Sequence, residues 1–572
     1  MNKVVAASVS LFLLCASSLA MAAQSGASVV PAKGEDGIPV ADQLTISKCG
    51  ACHVPDEKGN MTRISYVRTT PEGWAEAMKR MVRLNGLTLS KAEFKSILKY
   101  LATWHGLAPE EAKPVAYMAE HRIIVETIIP NDDVRDACTR CHAFGRPMSW
   151  RRTKDDWKLL ENFHVAFYQQ AEAGFRRNPP RAGAAPSGPP KPEPAEAALD
   201  YLSKNAALHT AEWSSWLPRI RAPRITGKWL VSANVPGHGK YIGEMTVSPG
   251  TADDEFKTST TLKSLRDGST LTRSGTNIIY TGYAWRGVSK GSAAASKPDD
   301  LNSEARETLA LSQDQNTAEG RWYWGQYQEF GFDVKLTRVE SSPTVGAVGN
   351  YSVKAGTNGA QIKVFGANFP DNIAPADVAM GNGITVKKIV SHTKTDLVVD
   401  IDVAADAVSG GRDVDVDRSI LEKAFVVYSK VDYVGVVPES TITHLGSDVH
   451  PKGYMQFDAV GFENGADGKP GTADDVAIGP IDVNWKLDEY MATYTDDDTK
   501  FVGDLNNGGL FTPNTDGPNP DRQFDRNNYG DVWVTATSKT EKDKNGRPLN
   551  GRSYMLVAVP QYQQWDQPEV NQ

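Results

Sequence analysis

Two textures of apolar and polar positions divide the chain. Up to about Arg224, apolar residues recur three and four positions apart, as in Trp74, Met78 and Met81, the spacing of one helix face. From Ile225 onward the period falls to two. Tyr241-Ile-Gly-Glu-Met245-Thr-Val247 and Phe332-Asp-Val334-Lys-Leu336 alternate, and Gly, Asn and Asp turns separate the runs. The aromatics of Arg321-Trp-Tyr323-Trp-Gly-Gln-Tyr327 fit cross-strand packing better than a sugar-binding face. The expected fold is multidomain α+β: a mainly α domain over 23–224, then three antiparallel β domains. These are a barrel-like domain at 225–340, an immunoglobulin-like sandwich at 341–432 and a C-terminal domain at 433–572. Expected strands in the last lie near Tyr454 to Val460, Asp531 to Thr537 and Tyr554 to Pro560.

The first residues read as an address rather than as structure. Lys3 supplies a basic start, Val4 to Leu14 an apolar run, and Ala20-Met21-Ala22 a small-residue cleavage site. A signal peptide over 1–22 predicts export, and Leu14 before Cys15 does not fit a lipoprotein site. Beyond it no apolar run reaches the length that spans a bilayer, so no membrane anchor is expected. Composition adds one exclusion: a net charge of -8 argues against nucleic acid as the main partner.

Of five cysteines, four follow the leader, as Cys49-Gly-Ala-Cys52-His53 and Cys138-Thr-Arg-Cys141-His142. In an exported protein C-x-x-C-H reads as covalent c-type haem attachment, with two thiols on the haem vinyl groups and the histidine as proximal iron ligand. A redox dithiol, half a zinc site or a disulfide pair explains one C-x-x-C less well once both copies carry the histidine. Two covalently bound c-type haems are therefore expected, on Cys49, Cys52, Cys138 and Cys141, with His53 and His142 as proximal ligands.

The sixth ligands follow from laying the copies over each other. Arg68-Thr69 and Trp74 match Arg152-Thr153 and Trp157, and Tyr100-Leu-Ala102 matches Tyr201-Leu-Ser203. The second copy is longer by 18 residues, the length of a Pro-rich stretch from Asn178 to Ala195. Seven positions after each tryptophan stand Met81 and His164, the proposed distal ligands. Met78, His105, His121 and Met148 compete for that role, and Arg68 and Arg152 are either propionate partners or structural. His/Met ligation raises a haem's reduction potential relative to bis-His ligation, so electrons are expected to pass from the second iron to the first.

Little else in the chain carries chemistry. Pro249 to Asp254 and Pro470 to Asp475 repeat Pro-Gly-Thr-Ala-Asp-Asp without the spacing of a calcium loop, and read as solvated turns. Asp496 to Asp498 reads as a solvated face. No catalytic acid, base or nucleophile is expected in this chain.

The dihaem unit, the order of the three β domains, Met78-Lys-Arg-Met81-Val-Arg-Leu-Asn-Gly86 and the tail Trp565-Asp-Gln-Pro-Glu-Val570 together resemble the α subunit of quinohaemoprotein amine dehydrogenase. The resemblance implies a periplasmic αβγ heterotrimer that oxidatively deaminates primary amines. It implies a β subunit, and a γ subunit whose own residues form cysteine tryptophylquinone. This chain would pass electrons from that quinone through its haems to an external soluble carrier, a c-type cytochrome or a blue-copper protein. The alternatives are a dihaem electron-transfer protein of another periplasmic dehydrogenase with β binding modules, and a dihaem peroxidase-like enzyme, which needs an open sixth site.

Overall fold

The computed structural model describes residues 36–177, 191–491, 496–560 and 570–571. The leader, most of the Pro-rich stretch and Trp565 to Glu569 lie outside the described residues. Among the described residues no helix is long and apolar enough to cross a membrane.

The N-terminal region is helical and duplicated. Its first unit contains α1 (Gln43–Cys49), α2 (Pro71–Asn85) and α3 (Lys91–Trp104). The second contains α4 (Asp132–Cys138), α5 (Lys154–Phe167) and α6 (Pro194–Asn205). The same devices start the corresponding helices. Thr70 caps α2 by accepting from Gly73 N, and Thr153 caps α5 by accepting from Asp156 N. The fourth helical residue is then Trp74 in one and Trp157 in the other. The indole N–H of Trp74 donates to His105 O at 2.8 Å, and that of Trp157 to Ala206 O at 3.1 Å. Each tryptophan thus ties its helix to the end of the third of these helices in its unit, α3 or α6.

These caps correct the repeat alignment by one residue. Thr70, not Thr69, is the counterpart of Thr153, so Arg68 corresponds to Arg151. The repeated Arg-Thr dipeptide is a coincidence, because helix geometry counts from the cap. The short strands β1 (Val67–Thr69) and β2 (Trp150–Arg152) join the units antiparallel, and Arg68 stands directly opposite Arg151. Both arginines hold the buried carboxylate of Glu111. Arg68 reaches it at 2.8 and 2.9 Å and Arg151 at 3.1 Å. Burial alone would raise the Glu111 pKa, but the two guanidinium charges hold it at about 2. Arg68 and Arg152 are therefore structural: Arg152 is likewise buried, against Asp156.

Eight strands follow: β3 (Gly227–Val235), β4 (Gly239–Pro249), β5 (Glu255–Ser264), β6 (Thr270–Tyr280), β7 (Ala284–Gly291), β8 (Ala305–Leu311), β9 (Thr317–Trp324) and β10 (Phe330–Arg338). Each pairs with the next, and β10 returns to β3 to close the barrel. Closure leaves no strand edge unpaired and fills the interior with Trp229, Trp285, Trp322 and Phe332. Val570 and Asn571 are also buried there. The Tyr280 hydroxyl donates to Val570 O at 2.5 Å, and the Asn571 amide donates to Gly287 O at 3.1 Å.

Residues 344–428 form two facing four-stranded sheets around Ile362, Val364, Val399, Ile401, Val414 and Val416. Residues 433–558 build a further sheet group around Phe457, Phe511, Val532 and Val534. Antiparallel pairing dominates, with two parallel exceptions: Ser352–Lys354 on Ser419–Tyr428, and Ser440–His444 on Pro548–Ala558. Each exception adds a short outer strand. The Asp496–Asp498 run is not a solvated face. Asp498 is buried, the fully buried Arg522 bridges Asp497 and Asp498, and Arg526 reaches Asp497 at 2.8 Å. The partners lie over twenty residues downstream, beyond the reach of a local charge count.

Candidate functional site

The first C-x-x-C-H motif grows out of the end of α1. Asp42 caps that helix by accepting from Thr45 N at 2.7 Å. Cys49 is its last residue, and Cys49 O accepts from Cys52 N at 3.2 Å and His53 N at 2.9 Å. The motif is thus a tight turn closed on the Cys49 carbonyl at the helix end. His53 Nδ1 lies 2.8 Å from Thr62 O. Donating there, the ring keeps Nε2 as a free lone pair facing outward, the arrangement a metal-ligating histidine needs.

The second motif is built in the same way on α4, capped by Asn131 and ending in Cys138. His142 Nδ1 pairs with Ala143 O at 3.0 Å, and His164 Nδ1 with Leu160 O at 2.8 Å. Both rings therefore present Nε2. Their centroids are 6.5 Å apart. Two imidazoles on opposite sides of one metal, each with a metal–nitrogen bond of about 2 Å, have centroids roughly 6 to 6.5 Å apart. The separation of the two rings matches that of two imidazoles sharing one metal. Burial lowers the His142 pKa and keeps the ring neutral, the ligating form.

The four cysteines are unpaired. Burial raises the Cys49 thiol and pushes Cys138 up to about 12. A reactive redox thiol needs a lowered pKa, so the settings of Cys49 and Cys138 disfavour the dithiol reading. The surroundings also fit a large apolar group. Val54, next to His53 in sequence, Val82 and Leu84, just after Met81 on α2, and Leu159, Val165 and Phe167 on α5 are exposed. Phe163, Tyr168 and Phe175 ring His164 at 5.9 to 6.3 Å.

The competing ligands occupy other settings. Met78 is buried in the core with Trp74 and Leu98. His105 is fully buried between Trp74 and Tyr100, with both ring nitrogens unpartnered and burial lowering its pKa to about 3. His121 packs on Tyr323, and Met148 packs on the small core under Trp157. Met81 is half-buried on α2, and its sulfur accepts from Asn85 Nδ2 at 3.6 Å. Arg80 on α2 lies over the Phe163 ring on α5 at 5.9 Å, next to Met81 and His164 in sequence.

Sequence reasoning missed the groups that set ring orientation. Thr62 and Leu160 act through backbone oxygens, which leave no residue-type signal. Glu126 accepts from Phe144 N at 2.7 Å, Gly145 N at 2.9 Å and the Tyr117 hydroxyl at 2.5 Å, fixing the loop after His142. A cleft of about 880 Å³ runs between the helical region, the barrel and the next β domain, and Glu72, Glu76, Arg146, Lys240 and Arg286 line it.

Family models match along most of the chain. Residues 39–177 match the haem-binding domain of the quinohemoprotein amine dehydrogenase alpha subunit, 222–339 its domain II, 342–429 its domain III and 434–570 its domain IV. No curated protein matches. Solved structures match parts of the chain. A de novo designed fluorescence-activating beta barrel is 17% identical over 20% of this chain and 93% of its own, with a TM-score of 0.16. Human protocadherin-24 EC1-2 is 12% identical over 39% of this chain and 100% of its own, with a TM-score of 0.15. At such scores these likenesses carry no argument. The four family domains, in order along one chain, identify a haem-binding oxidoreductase subunit of a multi-subunit complex: the protein belongs to the quinohemoprotein amine dehydrogenase alpha-subunit family.

Proposed function

We propose that this chain is the dihaem electron-transfer subunit of a periplasmic amine dehydrogenase, exported by its leader and assembled with β and γ subunits. The observation that carries the reading is the neighbouring pair His142 and His164, with ring centroids 6.5 Å apart and each Nδ1 engaged by a backbone oxygen. Two c-type haems would supply one-electron redox chemistry here. Cys49, Cys52, His53 and Met81 would hold the first, and Cys138, Cys141, His142 and His164 the second. Thr62 O orients His53, Ala143 O and Leu160 O orient His142 and His164, and Glu126 keeps the loop after His142 from shifting. Fixed rings keep ligand geometry alike in both oxidation states, which lowers the reorganisation that electron transfer demands.

In this reading the substrate-oxidising cofactor is a cysteine tryptophylquinone in the γ subunit. The haem held by His142 and His164 would take up electrons, the one held by His53 and Met81 would release them, and a soluble c-type cytochrome or blue-copper protein would receive them. The α2–α5 contact at Arg80 and Phe163 supports passage between the two sites inside one chain. The test is anaerobic addition of a primary amine to the oxidised native complex, with a haem-stained denaturing gel. The expected result is reduced haem bands, covalent haem on the large chain and two smaller chains beside it. A lone haem chain whose spectrum ignores amines would sink the assignment.

A further inference from the structure

Met81 is held at two points. Its carbonyl accepts from Gly86 N, the left-handed cap of α2, and from Leu87 N at 3.1 Å, so the helix end closes on this residue. Its sulfur accepts from Asn85 Nδ2, one turn along the same face. Asparagine is a poor helix former, and Asn85 is exposed. In the second unit His164 has Tyr168 at the same i+4 position, and that ring leaves His164 Nδ1 to Leu160 O. Each ligand therefore has a group suited to its own chemistry: an imidazole is fixed through its second nitrogen, a thioether through its second lone pair.

We propose that Asn85 is the positioning residue of the first haem site. A thioether sulfur has two lone pairs. With one directed at the iron, the Asn85 N–H takes the other, fixes rotation about the Cγ–Sδ bond and draws electron density from the sulfur. A weaker sulfur donor stabilises the oxidised iron less, so Asn85 raises the potential of this haem and steepens the drop from the bis-His site. The inference rests on Met81 ligation.

The experiment uses the full chain with both haems in place. Asn85→Leu keeps the bulk and removes the donor, Asn85→Gln keeps a donor, and Met81→Ala tests the ligand itself. In Asn85→Leu the weak red band of sulfur-ligated ferric haem is expected to fade and shift. One haem should favour its oxidised form about fivefold more, the size of one ordinary hydrogen bond, while the other keeps its potential. Asn85→Gln should fall between the wild type and Asn85→Leu. Like behaviour of the Gln and Leu variants, or an unchanged band and potential in Asn85→Leu, overturns the role of Asn85 even if Met81→Ala abolishes the band. A band that survives Met81→Ala overturns the ligation, and the proposal with it.

Discussion

The two halves of the helical region share a template but not a foundation. In the first unit Trp74, Met78, Leu98 and Leu101 belong to one continuous core with Tyr280, Tyr283 and Trp285 of the barrel side. Polar bonds reinforce that seam. Thr281 Oγ1 donates to Ala102 O at 2.7 Å, Arg286 reaches Glu72 at 2.5 Å and Lys95 reaches Glu255 at 2.9 Å. In the second unit the buried core is Trp157, Leu202 and Ala206. Duplication copied the caps and the tryptophan hinge, while packing made one copy part of the barrel and left the other on a small base. The difference teaches that a repeat unit's stability is set by what lies behind it as much as by its own sequence.

Substituting the paired tryptophans tests this contrast most severely. Trp74→Ala should cost about 3–5 kcal/mol and lower the melting of helices and barrel together. Trp157→Ala should cost a similar amount but produce a separate early transition confined to the second unit. Calorimetry with haem absorbance distinguishes the two, and a single shared transition in both variants would erase the contrast.

Glu111 probes the joint between the units. Glu111→Gln leaves two buried arginines short of their counter-charge, so about 3 kcal/mol should be lost. The wild type should show the same linkage by acid. The Glu111 pKa is lowered from 4.5 to about 2, so its contribution is full above pH 4.5 and is lost as pH falls toward 2. Acid titration of stability should show that loss in the wild type and a flatter curve in the variant.

A smaller and local effect is expected at Glu126. Glu126→Ala strands two backbone amides and a tyrosine hydroxyl, at about 1–3 kcal/mol. It should loosen His142 alone, so added imidazole should displace a ligand at the second haem faster and leave the first unchanged. The smallest effect belongs to the caps. Thr70→Ala and Thr153→Ala should each cost about 1 kcal/mol, and equal costs measured by denaturant would show that the copies differ in their surroundings, not in their local code.

Periodicity made the helix-to-strand change readable, and both C-x-x-C-H motifs were explicit in their spacing. What stayed hidden depends on partners far away in sequence. A helix pattern says which face of α2 is buried, but not that Tyr280 and Tyr283 lie behind it. The acidic run at Asp496 reads as solvated until Arg522 is placed against it. The internal alignment slipped by one residue because a repeated dipeptide outweighed the cap that defines the helix start. Ring orientation at His53 and His164 depends on backbone carbonyls that any residue could supply.

The seating of Val570 in the barrel bears on how the chain is made. All eight barrel strands have been synthesised by Arg338, yet the Tyr280 hydroxyl finds its acceptor 290 positions along the chain. The barrel lining stays incomplete while two further β units emerge, so a product that stops short of Val570 carries a finished outer wall around an unfinished centre. Contacts of such long range form late in folding. This seat fills only when a segment 290 positions beyond Tyr280 has returned to the barrel.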